Sequence, residues 1–320
     1  MRFIPVLTNV LLMPNEHVLG PLARQHLYSS YKRLADSLKF ITTDRQALQV
    51  SSIWRSAYKD IYRYWGDGEG LDKFAKRHTL VNYYQPFHTL SFNEIISSSV
   101  ELRPPSSRVV GYTDNWRFCI ECAIEDVEIN ATPHFHINHQ IPGVTQCSKH
   151  NIPLKTGCLS CGNEWLNLLK IIMPSSSGIC DKCQGDLSTI NSYQDDDTHW
   201  LQTTSSQLFE GGYSDINLES VQKSYRKWIG IGSRQGVLNL KERKIVRDAQ
   251  KHLDNHFSLE FYRQFFTNAD LKSKQRRVPF LNLYEAAFNE GKFIHPLVHL
   301  VLIRCLFGSV ENFVENEMHE

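Results

Sequence analysis

Cys119-Ile120-Glu121-Cys122, Cys147-Ser148-Lys149-His150, Cys158-Leu159-Ser160-Cys161 and Cys180-Asp181-Lys182-Cys183 decide how this chain folds. Each quartet sets two metal donors two residues apart, a spacing that lets a tight turn aim both at one ion. The spacers between quartets are 24, 7 and 18 residues. Thiolates and imidazole select zinc over the hard cations. Taken in order, Cys119, Cys122, Cys147 and His150 make one tetrahedral shell, and Cys158, Cys161, Cys180 and Cys183 make a second. The alternative is an interleaved arrangement in which the first and third pairs share an ion. Gly162 follows the third pair and Gly185 the fourth, as turn residues would. Four protein donors per ion leave no open position, so two structural zinc ions are expected, each worth on the order of 10 kcal/mol of folding free energy.

Outward from this block, the chain is an ordinary globular one of 320 residues, 41% hydrophobic and 22% charged. That length supports two or three domains. Six of the eight cysteines lie in the C-x-x-C pairs and the start, Met1-Arg2-Phe3-Ile4-Pro5, has no signal-peptide pattern, so a reducing, cytoplasmic setting is expected. The most apolar run, Leu297 to Phe307, is broken by His299 and Arg304, which argues against a membrane span. Cys305, the unpaired cysteine, lies in that run and reads as a core residue.

Residues 1–115 hold no cysteine and read as a helical, helix-turn-helix-like N-terminal domain. Apolar residues recur at helical spacing from Val18 to Leu27 and from Ile53 to Trp65, with Gly66-Asp67-Gly68 as a stop and a further helix over Leu71 to His78. A linker rich in Pro, Ser and Arg spans Leu102 to Asp114. Residues 116–192 form the tandem zinc-binding domain, which ends near Asp195-Asp196-Asp197. Residues 193–320 read as a helical C-terminal domain, with helices expected over Val221–Ile229, Leu240–His256, Leu259–Phe266 and Ile294–Phe313. The fold class is therefore mainly α, with small zinc-ribbon β elements.

His134, His136 and His139 crowd one short stretch. A His-Asn-His string near C-x-x-C pairs suggests a nuclease, but that chemistry needs histidines spread around one metal, and no acidic partner is close in the sequence. The stretch is read instead as packing between the halves of the first zinc site, and no catalytic residue is assigned: the protein is expected not to be an enzyme.

The residues threaded between the ligands carry a resemblance. Arg117-Phe118-Cys119-Ile120-Glu121-Cys122, Phe135-His136-Ile137-Asn138-His139-Gln140-Ile141-Pro142-Gly143-Val144 and Cys147-Ser148-Lys149-His150-Asn151-Ile152-Pro153-Leu154 resemble the zinc-region motifs of the TniQ/TnsD family. Phe135 stands for the usual Trp and Ile120 for the usual Pro; neither is a ligand. His78-Thr79-Leu80 to Tyr84-Gln85-Pro86-Phe87 and His295-Pro296 to Phe307-Gly308 are similar to further family segments. The resemblance implies a target-selection adaptor of a cut-and-paste transposon, whose partners are the AAA+ transposition ATPase and a DNA-targeting complex such as CRISPR Cascade with its guide RNA, or DNA itself. The chain stops soon after the apolar helix, which leans toward the shorter, Cascade-associated members; a homodimer is a further expectation. The alternative function is a stand-alone, sequence-specific, zinc-containing DNA-binding protein, either an attachment-site reader or a transcription regulator.

With a net charge of +1, nucleic-acid contact must rest on a local patch. Val221 to Lys251 carries nine positive and two negative side chains. Lys223, Arg226, Lys227, Arg234, Lys241, Arg243, Lys244 and Arg247 are its candidate phosphate ligands, with Lys272, Lys274, Arg276 and Arg277 as a second cluster. A solvated helix face explains the same charges equally well.

Overall fold

The computed structural model describes residues 10–44, 52–66, 68–104, 110–111, 115–187, 193–213, 215–231, 238–267, 281–289 and 292–318. The chain divides into two compact units, one made of residues 1–81, 93–103 and 114–191, the other of 82–92, 104–113 and 192–320. The structure is mainly helical, with a single two-stranded sheet among the described residues.

The first unit opens with α1 (Gly20–Tyr28), α2 (Leu34–Leu38), α3 (Ser56–Trp65) and α4 (Leu71–His78). α3 follows its apolar spacing: Ala57, Tyr58 and Ile61 are buried, and the helix ends at Gly66, whose N–H bonds Tyr62 O at 2.7 Å. The last turn of α4 carries Lys76, Arg77 and His78, cations that complement the negative end of the helix dipole. α5 (Val81–Tyr84) and α6 (Phe92–Ser97) lie where the chain leaves this unit and returns to it. Leu102 then pairs with Trp54 as a short antiparallel bridge.

Residues 15–18, joined to residue 136 by an isolated bridge, tie the first unit together. His17 N–H bonds Phe135 O and Ile137 N–H bonds Asn15 O, both at 2.7 Å, and Val18 N–H bonds His78 O at 2.8 Å. Glu16 and Arg24 form a fully buried ion pair, with Arg24 Nη2 2.8 Å from Glu16 Oε2 and 2.6 Å from Leu11 O. The other guanidinium nitrogen contacts Glu16 Oε1. Burial pushes the Glu16 carboxyl above its ordinary value, against the pull of Arg24. Gly20 lies directly beneath this carboxylate: a Cβ there would overlap Glu16 Oε1. Because Arg24 and the Met13 N–H hold the carboxylate in place, it has no easy retreat. Gly20→Ala is expected to cost about 1–3 kcal/mol, read as a lower urea midpoint with an unchanged slope.

The second unit contains α8 (Asp196–Glu210), α9 (Leu218–Ile229), α10 (Leu240–Asp254), α11 (Leu259–Phe265), α12 (Leu283–Phe288), α13 (Pro296–Phe307) and α14 (Val310–Met318). Side-chain caps begin most of these helices. Asp195 accepts from Thr198 N, Asn217 from Ser220 N, Ser258 from Phe261 N and Asn282 from Glu285 N, while Asn239 and Glu242 form a reciprocal capping box on α10. α13 is apolar nearly all round and accordingly buried, packing against α8 and α14. The predicted helix over 294–313 is two helices, because Gly308 takes φ +79° and ends the first. α8 was not anticipated: its Thr, Ser and Gln content hides a buried stripe of Thr198, Leu201, Thr204, Ser205 and Leu208.

Two histidines in this core are held neutral. His295 Nδ1 accepts the Leu297 N–H at 3.1 Å as the cap of α13, and its Nε2 lies 3.2 Å from Tyr84 Oη. His299 stacks on Phe87 at 4.7 Å, with Nδ1 3.3 Å from Tyr225 Oη. Burial drops both to about 3. Below the ordinary value of 6.5 the unfolded chain takes up protons that the folded unit refuses, so stability falls as pH drops from 6.5 toward 3. Each histidine adds up to about 1.4 kcal/mol per pH unit to that slope. His299→Gln is expected to flatten the dependence of the urea midpoint on pH between 7 and 5; an unaltered slope would show that the ring is protonated in the folded state.

Candidate metal centre

The first quartet begins α7 (Ile120–Asn130) rather than sitting on a free turn: Cys119 is the helix N-cap residue and Cys122 lies in the first turn. Residues i and i+3 at a helix start share a face, and the exposed N–H groups and dipole there favour thiolate. The other three pairs are true turns, each closed by a left-handed residue four positions after its first cysteine: Asn151 (φ +53°), Gly162 (+64°) and Gln184 (+59°). Gly185, the turn residue expected from the sequence, does not take that conformation; Gln184 does. Matching backbone bonds close two of these turns: Asn151 N–H to Cys147 O and Gln184 N–H to Cys180 O, both at 2.8 Å. Cys158 belongs to β1 (Gly157–Cys158), paired antiparallel with β2 (Asn163–Glu164).

The donors group sequentially, not interleaved. Those of Cys119, Cys122, Cys147 and His150 lie within 4.8 Å of one another, and so do those of Cys158, Cys161, Cys180 and Cys183. In the first group His150 Nδ1 is 3.4 Å from Cys119 Sγ, 3.4 Å from Cys122 Sγ and 3.6 Å from Cys147 Sγ, and Cys122 Sγ is 3.6 Å from Cys147 Sγ. Metal bonds of about 2.3 Å to sulfur and 2.0 Å to nitrogen give tetrahedron edges of roughly 3.6 and 3.8 Å, so these donors fit one ion with almost no movement. The second group has edges of 3.6 Å (Cys158–Cys183) and 3.9 Å (Cys161–Cys180).

The electrostatics also call for a cation. Hydrogen bonds with Cys119 and Cys147 push the Cys122 thiol far up, while those from Cys119 and Cys122 pull Cys147 far down. Cys158 falls to about 6, chiefly because it accepts the Cys161 backbone N–H. Thiols crowded this closely share protons; only a bound cation allows all of them to ionise.

Three residues around the first group carry no metal role in the sequence reading. Glu125, three residues after Cys122 on α7, places Oε1 3.2 Å from His150 Nε2, a carboxylate orienting the imidazole from behind. His139 is buried with Nε2 3.9 Å from Cys122 Sγ, placed to cover that sulfur. Asp126 supplies the acidic partner that the sequence lacks near His134 and His136: its Oδ2 is 2.9 Å from His136 Nε2 and 3.2 Å from His134 Nδ1. Burial, then the His136 charge, lowers His134 to about 4. Asp126 and His134 are almost sealed from solvent, so the cluster pins residues 134–136 to α7.

These contacts place the family-like residues. Phe135 packs between Trp116 and Phe118, at centroid distances of 5.2 and 6.4 Å. Gln140 clamps Arg117 from both sides, accepting its N–H at 3.1 Å and donating to its carbonyl at 2.7 Å.

The candidate phosphate ligands divide. On α9, Lys223 and Lys227 are exposed, but Arg226 is turned inward, with Nη1 2.9 Å from Ala287 O. On α10, Lys241, Arg243, Lys244 and Arg247 are exposed, Arg243 also bonding Leu238 O at 3.0 Å. Arg234 and the cluster Lys272, Lys274, Arg276 and Arg277 lie outside the described residues. No helix among the described residues is long and apolar enough to cross a membrane.

No curated protein sequence matches the chain. The TniQ family model matches residues 18–154, which run from the start of α1 through the whole first donor cluster. Across those residues the chain carries a TniQ domain, the hallmark of a family associated with target selection in transposition.

Proposed function

We propose that this protein is a non-enzymatic adaptor in transposon target selection, linking a DNA-targeting complex such as Cascade with its guide RNA to the AAA+ transposition regulator. The observation that carries the reading is the TniQ match over residues 18–154. The two donor groups hold zinc in this reading: three thiolates and an imidazole in one, four thiolates in the other, each a closed shell with a structural role. Zinc there fastens α7 and the turns into one surface for partners. Co-purification of the full chain with Cascade subunits and with the ATPase is the test; recovery of neither partner sinks the proposal.

A second reading, direct DNA binding, is favoured by the exposed cations of α10, Lys241, Lys244 and Arg247. Neutralising all three is expected to flatten the salt dependence of binding to free duplex by about three in log–log slope. No binding without a guide complex would leave the adaptor reading alone.

A further inference from the structure

Cys305 reads as a core cysteine in the sequence, but its surroundings in the second unit are polar. It is only half-buried, on the last turns of α13. Its thiol and the ring nitrogens of His252 and His256 come within 4.8 Å of one another. His252 is in the last turn of α10 and His256 follows in the turn just past its end, the two ring centroids 5.8 Å apart. Asp197, at the start of α8, acts electrostatically on both His256 and Cys305, and its Oδ1 is 2.8 Å from Arg304 Nε. The Trp228 ring lies over His252 at 6.4 Å, tilted by 26°.

We propose that His252, His256 and Cys305 form a third metal site, one that takes a divalent transition ion of the zinc class and ties the end of α10 to α13. Two imidazoles and a thiolate are borderline and soft donors, which exclude calcium and magnesium as the intended ion. A cation is also favoured at the C-terminal end of α10, where the helix dipole is negative. Three protein donors leave a fourth position for water or the Asp197 carboxylate, so this ion is exchangeable where the two closed shells are not. Binding is written as M²⁺ plus the Cys305 thiol giving the metal thiolate and one released proton. Because binding displaces the thiol proton, the site loads more weakly as pH falls. Loading would hold fast the helix that carries Lys241, Lys244 and Arg247.

The test is titration of the full chain, purified with its two resident ions, with Co²⁺ alone. The expected result is one additional equivalent, a near-ultraviolet thiolate-to-cobalt band, and release of one proton per ion, without loss of the resident metal. Cys305→Ser is expected to abolish the band while the resident ions stay. His252→Gln and His256→Gln, both at exposed positions that leave folding intact, are expected to weaken binding about tenfold or more. Absence of a third equivalent overturns the proposal, as does a band that survives Cys305→Ser, which would mark cobalt exchanged into the other shells. Neither outcome depends on whether the chain binds a transposition partner.

Discussion

Cys122→Ser is expected to reduce bound metal from two ions per chain to one and to abolish the cooperative unfolding of the first unit. Cys122 Sγ is at the centre of its cluster, 3.4 Å from His150 Nδ1 and 3.6 Å from Cys147 Sγ, and it is shielded by His139. A structural zinc ion contributes on the order of 10 kcal/mol to folding, while a whole domain is stable by only about 5–15 kcal/mol. Losing this ion therefore removes most of the unit's margin. α7 would lose the metal at its start, and the segment of Phe135 to Val144 would lose the sulfur it packs around. Cys183→Ser offers the contrast, because Cys183 is the exposed member of the second cluster. It is expected to lower metal content equally and stability less. Metal analysis with thermal denaturation checks both; unchanged stoichiometry in both variants would refute the assignment of these donors.

The second large effect is at Arg24. Arg24→Ala is expected to destabilise the first unit by about 3–5 kcal/mol, because the Glu16 carboxylate would remain buried without a counter-charge. Glu16 is 0% exposed and Arg24 only 2%, so neither can turn to solvent. The double change Glu16→Gln with Arg24→Met is expected to cost less than Arg24→Ala alone, since no charge then remains to be desolvated. Urea denaturation of the wild type, Arg24→Ala and the double variant measures this directly. A double variant at least as unstable as Arg24→Ala would mean that packing, not charge, sets the cost.

The donor set was legible because metal chemistry is local: two donors two residues apart need only one turn, and that turn is written in neighbouring residues. The helices α3 and α4 were legible for the same reason, from apolar spacing and a glycine stop. What the sequence hid depends on distant partners. Asp126 meets His134 and His136 only after α7 turns its face toward them. Arg226 belongs by composition to a basic run, yet the fold sends its guanidinium to a carbonyl on α12. α8 was missed because Thr and Ser fill buried positions where periodicity looks for Leu and Val. Residues 82–92 and 104–113 join the C-terminal helices rather than their sequence neighbours, a choice made by aromatic packing such as Phe87 on His299.

The pairing of residues 15–17 with 135–137 bears on how the chain is made. These partners are separated by about 120 residues. At a synthesis rate of roughly 5–20 residues per second, the first segment waits about 6–24 s for the second to be translated. The donors Cys147 and His150 emerge later still, so in the zinc reading proposed above metal capture would follow this closure. During that interval Glu16 and Arg24, only eight residues apart, can already find each other, which makes their ion pair a local placeholder for a long-range contact. Arg24→Ala is therefore expected to lower the yield of metal-loaded protein during synthesis at 37 °C more than its equilibrium cost alone predicts, and slowing translation should not rescue it.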